Sequence, residues 1–490
     1  MTELHSSCTE SSITLWWEPI DAAAHTYAVL LNGVGTIRTN VTHATFNDLQ
    51  PDTDYAVALL CDDSTLANVT VRTGAVRTRI TVTDAPYRAV GDGVALNTQA
   101  LQRAIDACPE GGEVYVPAGI FLTGALRLHS HMRLHLAKDA VLQGTDRPAD
   151  YLPKIHSRFE GIEQECYQSL LNLGALDHAS GPNCCDVLID GEGTICGGGQ
   201  KLALAIIEDE RVRLHDYLVA LGEKIKECEN DNTIPGRARG RLINISNCED
   251  IRISGLTLKD GASWNVHMIY SRDIVTDHCI FRSKGVWNGD GWDPDSSEDC
   301  TLFACEFHTG DDSVAIKSGK NPEGNVIDRP TRHIRIFDCI SHYGLGIAIG
   351  SEMSGAVEDV LIWDCDMEHS LDGVQIKGTK KRGGYVRDVR ILNCTLPRFL
   401  VRAVLYNDDG IGAEHPPVFS NMTLTRVHFT GWSRNYWEPE LHELPVLELS
   451  GFDEPGYEVR DVQLVGCTAG DHAEVQLKHY KNISLDITSR

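Results

Sequence analysis

The stretch TGDDSVAIKSG, Thr309 to Gly319, sets two aspartates, Asp311 and Asp312, directly before a short alternating apolar run. Twenty-one residues earlier (311 − 290), VWNGDGWDPDSSEDC places Asp290 between two glycines, with Asn288, Asp293 and Asp295 close by. Neighbouring side chains on a regular strand point to opposite faces, so Asp311 and Asp312 share a site only if the backbone bends. Gly310 permits that bend. Three carboxyls crowded on one surface repel one another, and at least one then holds its proton above the usual carboxylate range. One protonated acid for a leaving oxygen, with ionised carboxylates to activate water, is the combination that cleaves a glycosidic bond. The bland alternative is a polar turn whose Asp and Asn side chains bond their own backbone.

Something must hold these segments one above another, and the cysteines reveal it. DIVTDHC ends at Cys279, CTLFAC at Cys305, IRIFDC at Cys339, VLIWDC at Cys365, VRILNC at Cys394 and VQLVGC at Cys467. The first five follow at steps of 26, 34, 26 and 29 residues, and IRISGL fits one step earlier with Leu256 in the cysteine slot. Short alternating strands at this period, without long helices between them, predict a right-handed parallel β-helix. The cysteines then stack as small hydrophobes in its bore, with no redox role. Successive coils lie about 4.8 Å apart, which brings Asp290 over Asp311 and Asp312.

Residues 1–79 read differently. SSITLWWEPI and TYAVLLNG alternate as sandwich strands, and Leu49-x-Pro51-x-Thr53-x-Tyr55 resembles the fibronectin type III pattern, with Trp17 as a core aromatic. The chain is therefore expected to be all-β, a small N-terminal sandwich followed by a β-helix over 80–490. Asn97 is the expected N-cap of a helix running to Cys108 that covers the open end of the solenoid. A helical insertion at about 200–230 interrupts the strands and ends in IPGRARGR.

The net charge of −26 argues against nucleic acid as a partner, and no apolar run is long enough for a membrane span. Against that background Lys317, Lys377, Lys380, Lys381, Arg382 and the run Arg237, Arg239, Arg241 are the candidates for binding an anionic substrate.

NGDGWDPDSS, TGDDSVAIKSG, GLGIAIGSEMSG and VQIKGTKKRGGYV together resemble glycoside hydrolase family 28, the polygalacturonase family, and VGDGVALNTQALQRAIDA…GGEVYVPAG is similar to its N-terminal cap. The resemblance runs over about residues 80–480. It implies an inverting hydrolase of α-linked galacturonan in pectic polysaccharide or oligosaccharide, with no cofactor and no metal. Asp311 becomes the general acid, and Asp290 and Asp312 activate the water. Asn288, His267, Lys317, Gln375, Lys377, Arg382 and Arg239 become the substrate-binding set.

Two positions depart from the family: Leu345 stands where it has histidine and Gln375 where it has arginine. His308 and His342 are the expected substitutes for the histidine. Trp264 and the loop residues Trp432, Tyr436 and Trp437 are candidate sugar platforms. The N-terminal module and the helical insertion point to exo action, since bacterial relatives with such a module are exo-acting. Rival readings are a rhamnogalacturonan hydrolase, a calcium-dependent pectate-lyase-like enzyme and a non-catalytic carbohydrate-binding solenoid. The start MTELHSSCTESS lacks a secretion signal and the cysteine ladder suits a reducing compartment, so a cytoplasmic location is expected, or a secreted or periplasmic one if a signal has been removed.

Overall fold

Left-handed residues mark the corners of the coils. His278, Ala304, Asp338, Asp364 and Asn393 have φ between 48° and 53°, and each directly precedes a bore cysteine. Asp and Asn enter this region most readily among residues with a side chain. The bend turns the cysteine inward, where Cys279, Cys305, Cys339, Cys365 and Cys394 are at most 2% exposed. Each thiol donates to the carbonyl two residues earlier, at 3.2–3.3 Å. A small side chain with one weak donor fits this corner. None of the sixteen cysteines is in a disulfide.

The structure, a computed structural model, describes residues 3–489 apart from 63, 180, 435–439 and 471–472. The chain divides into two compact units, Met1–Arg79 and Ile80–Arg490. The first is a sandwich of a three-stranded and a four-stranded antiparallel sheet. Trp17, Val29, Leu31, Leu49, Val57 and Leu59 share its core. The Tyr55 hydroxyl accepts a hydrogen bond from the Gln50 amide at 2.9 Å, which ties the strand to the turn before it.

The second unit is a right-handed parallel β-helix. Its strands stack into sheets of 13, 8 and 11 strands, and a further sheet of 4 includes Thr395–Leu396 and Ile487–Ser489. The 11-stranded sheet carries the acids: Trp292 pairs with Val314, Val314 with Ile347, and Ile347 with Val374. These four residues are 0% exposed and fill the bore.

Helix Thr98–Asp106 packs Leu101, Ala104 and Ile105 onto this core. Asn97 stands at the N-cap position, where its carbonyl accepts from the Leu101 amide at 2.9 Å, but its side chain makes no capping bond. Its side chain is spent on the preceding loop, with Oδ1 accepting from the Val90 amide at 2.7 Å and Nδ2 donating to Ala95 O at 2.7 Å. The insertion folds as helices Gly199–Arg213, His215–Leu221 and Thr233–Gly236 with a 3₁₀ turn at Gly222–Glu227.

A hairpin of Ile155–Phe159 and Ile162–Cys166 also leaves the coil. Arg158 pins it: its Nη1 donates to Asp295 Oδ1 at 3.0 Å and Ser296 Oγ at 2.9 Å. Both side chains of this ion pair are 0% exposed. Removing one partner leaves a buried charge unmatched, so Arg158→Met should cost about 3–5 kcal/mol of stability in urea unfolding. A loss under about 1 kcal/mol would mean the hairpin is held by other contacts.

Candidate active site

Glycines let the acidic turns stack. A Cβ at Gly310 would meet Val286 O at 2.4 Å and Ser283 O at 2.5 Å, and one at Gly291 would meet Ser313 O at 2.4 Å. Gly310 is needed for close approach, since its φ is not in the left-handed region. The Gly310 amide donates to Gly289 O at 3.2 Å and the Gly291 amide to Asp312 O at 3.0 Å. The Asp290 turn and the Asp311–Asp312 turn thus sit directly on one another. The Asp312 amide donates to Asp311 Oδ1 at 3.0 Å, which fixes the bend between the two acids.

All three acids line one cavity of about 300 Å³, together with Asn288, Lys317, Leu345, Gln375 and Lys377. Asp290 takes Lys317 Nζ at 3.3 Å. The same ammonium lies 3.8 Å from Asp293 and 3.7 Å from Glu352. Asp312 accepts from Lys377 Nζ at 3.0 Å and from Gln375 Nε2 at 3.3 Å.

Burial and two neighbouring carboxylates, Asp290 and Asp312, push Asp311 well above the usual range, and the lysines only partly offset this. Burial and Asp293 raise Asp290 as well, opposed first by Lys317. Asp293 is pushed up to about 7, chiefly by burial. Burial opposes the charge on Lys317, yet Asp293, Asp290 and Glu352 keep it firmly protonated. Asp290, Asp293 and Asp311 titrate as one cluster. Asp290 and Asp312 each hold a lysine within 3.3 Å.

Lys317 therefore decides whether Asp290 ionises. Its removal raises Asp290 further, so Lys317→Met should move the acid limb of the kcat/KM profile upward by about 1–3 pH units. An unmoved acid limb would show that Asp290 is not the group that must lose its proton.

Several expected binding residues lie outside the cavity. His267 is 0% exposed and bonds Asp295 at 3.3 Å. Burial pushes it down to about 3, so it is a neutral wall residue and not a sugar contact. Arg239 is 0% exposed, and its Nη2 donates to Asn288 Oδ1 at 2.7 Å. It orients Asn288 from behind. Arg382, also 0% exposed, donates to Ser351 O, Asn321 Oδ1 and Asn407 O at 2.8, 2.6 and 2.8 Å. Arg237 joins Glu160 to Asp409 at 2.8 and 2.9 Å. Lys381 donates to Asp408 O at 2.7 Å, and Lys380 pairs with Glu454. These basic residues stitch loops together: Arg237, Lys380 and Lys381 reach loop carboxylates, while Arg239 and Arg382 bond loop carbonyls and amides.

His308 and His342 stack on each other and do not line the cavity, so neither replaces the histidine at 345. Leu345 itself lines it. Trp264 lines it too, but stands only 3% exposed, stacked on Phe159 at 4.5 Å and under Lys317 Nζ at 4.6 Å. Its ring is already occupied by protein. Trp432 is exposed away from the cavity lining, and Tyr436 and Trp437 fall outside the described residues.

Other lining residues escaped sequence reasoning: Glu160, Glu229, Glu352, Asp372, Arg402 and Tyr406. Glu160 comes from the hairpin turn and Glu229 from the insertion, with no local signal in either. Arg402 had one: it pairs with Lys377 on the next coil, so strand register alone carries it to the same face.

Three crowded carboxyls, two of them held by lysines, in a cavity on a β-helix are the kind of groups that glycosidic-bond hydrolysis uses. The family model described as Glycosyl hydrolases family 28 matches residues 174–409. A "Probable polygalacturonase" of Vitis vinifera is 36% identical over 324 residues, 63% of this chain and 59% of that protein. An "Exo-poly-alpha-D-galacturonosidase" of Dickeya chrysanthemi is 28% identical over 401 residues, 76% of this chain and 66% of that one. The chain thus spans less than two thirds of the length of either relative. In fold it is similar to a Yersinia enterocolitica family 28 exopolygalacturonase, at TM-score 0.78 and 21% identity over 99% of this chain and 98% of that one. It is also similar to a Thermotoga maritima exopolygalacturonase, at TM-score 0.69 and 23% identity over 84% and 91%.

Proposed function

We propose that the chain is an inverting, exo-acting glycoside hydrolase that removes galacturonic acid from the end of α-linked galacturonan in pectic material. The observation that carries this reading is the meeting of Asp290, Asp311 and Asp312 in one walled cavity. Asp311 donates its proton to the glycosidic oxygen. Asp290 and Asp312 draw a proton from a water that attacks the anomeric carbon from the opposite face, and the configuration inverts. Asn288, held by Arg239, and Gln375 orient the base side.

Lysines within 3.3 Å of Asp290 and Asp312 support hydrolysis over a calcium-dependent lyase, because each already neutralises the carboxylate that a calcium ion would bind. The loops that form one wall support exo action. The Glu229 amide donates to Asn407 Oδ1 at 3.2 Å, and the Asp408 amide to Glu227 O at 3.2 Å, so insertion and coil loops close on each other beside the cavity. Sixteen cysteines outside any disulfide support work in a reducing compartment, the cytoplasm, on short pectic oligosaccharides.

The test is a product profile on polygalacturonate and on defined oligogalacturonides. Small saturated sugars should appear from the first turnovers, with viscosity nearly constant. An early fall in viscosity would overturn exo action, and unsaturated products would overturn hydrolysis. Cleavage confined to rhamnogalacturonide oligomers would replace the substrate.

A further inference from the structure

We propose that Glu306, His308 and His342 form a binding site for a divalent transition-metal ion of the zinc class, on the face of the 8-stranded sheet away from the bore. Glu306 and His308 lie two apart on strand Glu306–His308, so they share a face, while Phe307 between them is 0% exposed in the bore. His342 lies on the next coil, in strand Ile340–Tyr343. The register slips there: Phe307 pairs with Ser341 but His308 with Tyr343. A residue at such a bulge is re-aimed, and the His342 ring comes to rest 4.7 Å from that of His308, with 18° between their planes. Its Nε2 is 3.3 Å from Glu306 Oε2.

One ligand atom from each residue lies within 4.8 Å of the other two. Two imidazoles and one carboxylate are the donor set of zinc-class ions, whereas calcium and magnesium demand oxygen ligands. Zn–N and Zn–O bonds of about 2.0–2.2 Å draw the donors closer than they stand here. Half-exposed side chains, 37% for His342 and 49% for Glu306, have room to make that rotation. Arg282, opposite His308 on the preceding strand, and Lys284 set a positive edge that the Glu306 carboxylate offsets.

The position has a consequence for the catalytic turns. His308 lies three residues before Asp311 and His342 three before Leu345. The two segments are already joined by Thr309 N to Tyr343 O at 2.9 Å and Leu345 N to Asp311 O at 3.0 Å. A bound ion clips these turns together from outside the cavity.

The experiment titrates zinc chloride into the full chain by calorimetry and follows Tm. The protein carries His25→Ala, because His25, Cys61 and Asp62 are the other such group among the described residues. The expected result is one ion per chain, a zinc-dependent rise in Tm, and loss of both in His308→Ala/His342→Ala. Cobalt should give a visible absorption band that the double variant lacks. Matching apo Tm values for parent and double variant will show that both are folded. Glu306→Gln, which keeps the shape, should weaken binding without changing the apo Tm. No heat up to millimolar zinc, or a Tm rise that survives the double substitution, overturns the proposal.

Discussion

Asp311→Asn should lower kcat/KM on oligogalacturonides by about 10²–10⁴-fold, the span that a positioned general acid supplies. The substitution is close to isosteric with the protonated acid, so substrate affinity should change little. The decisive measurement is a second substrate, a galacturonide with a nitrophenol-type leaving group that departs without protonation. Its hydrolysis should be largely spared in Asp311→Asn. The same substrate should not rescue Asp290→Asn or Asp312→Asn, because the water still lacks its base. Equal losses on both substrates would reassign the proton donor. Unchanged turnover would return the protein to the class of non-catalytic carbohydrate binders.

Arg402→Gln should lower kcat/KM by about 10–100-fold, mainly through KM. A hydrogen bond to a charged group contributes about 1.5–3 kcal/mol, and each 1.4 kcal/mol is tenfold. Lys317 and Lys377 are committed to Asp290 and Asp312. Arg402 lines the same cavity, its side chain 34% exposed, and it reaches Asp372 Oδ2 at a loose 3.8 Å. Asp372 is already held by Arg398 through Nε at 3.0 Å. The Arg402 guanidinium is thus the cation best placed for a sugar carboxylate, one coil beyond Gln375. A methyl-esterified oligomer, which has no charge to bind, should be nearly indifferent to the substitution. If charged and esterified substrates lose equally, Arg402 holds the cavity in shape and does not read the carboxylate.

Much of the fold was legible along the chain. The repeat of apolar residues before Cys279, Cys305, Cys339, Cys365 and Cys394 marks the coils, because a parallel β-helix buries the same strand face at every turn. The three aspartates were legible for the same reason: one coil of separation is a contact in space. The basic residues were harder. Arg239 and Arg382 looked like anion binders because the chain is so acidic, yet both lie at 0% exposure, bonded to carbonyls and amides of loops that share no local pattern. The Asn97 amide group likewise found a loop 7 residues away before it found a helix end.

The sequence by itself determined the coil period, the inward cysteines and the three acids on one surface, since each follows from short-range alternation and repeat length. Only the tertiary structure decided which cations face those acids. That choice depends on where long loops fold back, as when Glu160, Glu229 and Asp409 arrive from separate excursions. A charge is neutralised by whatever lies within a few ångströms, and distance along the chain says nothing of that across 60 to 170 residues.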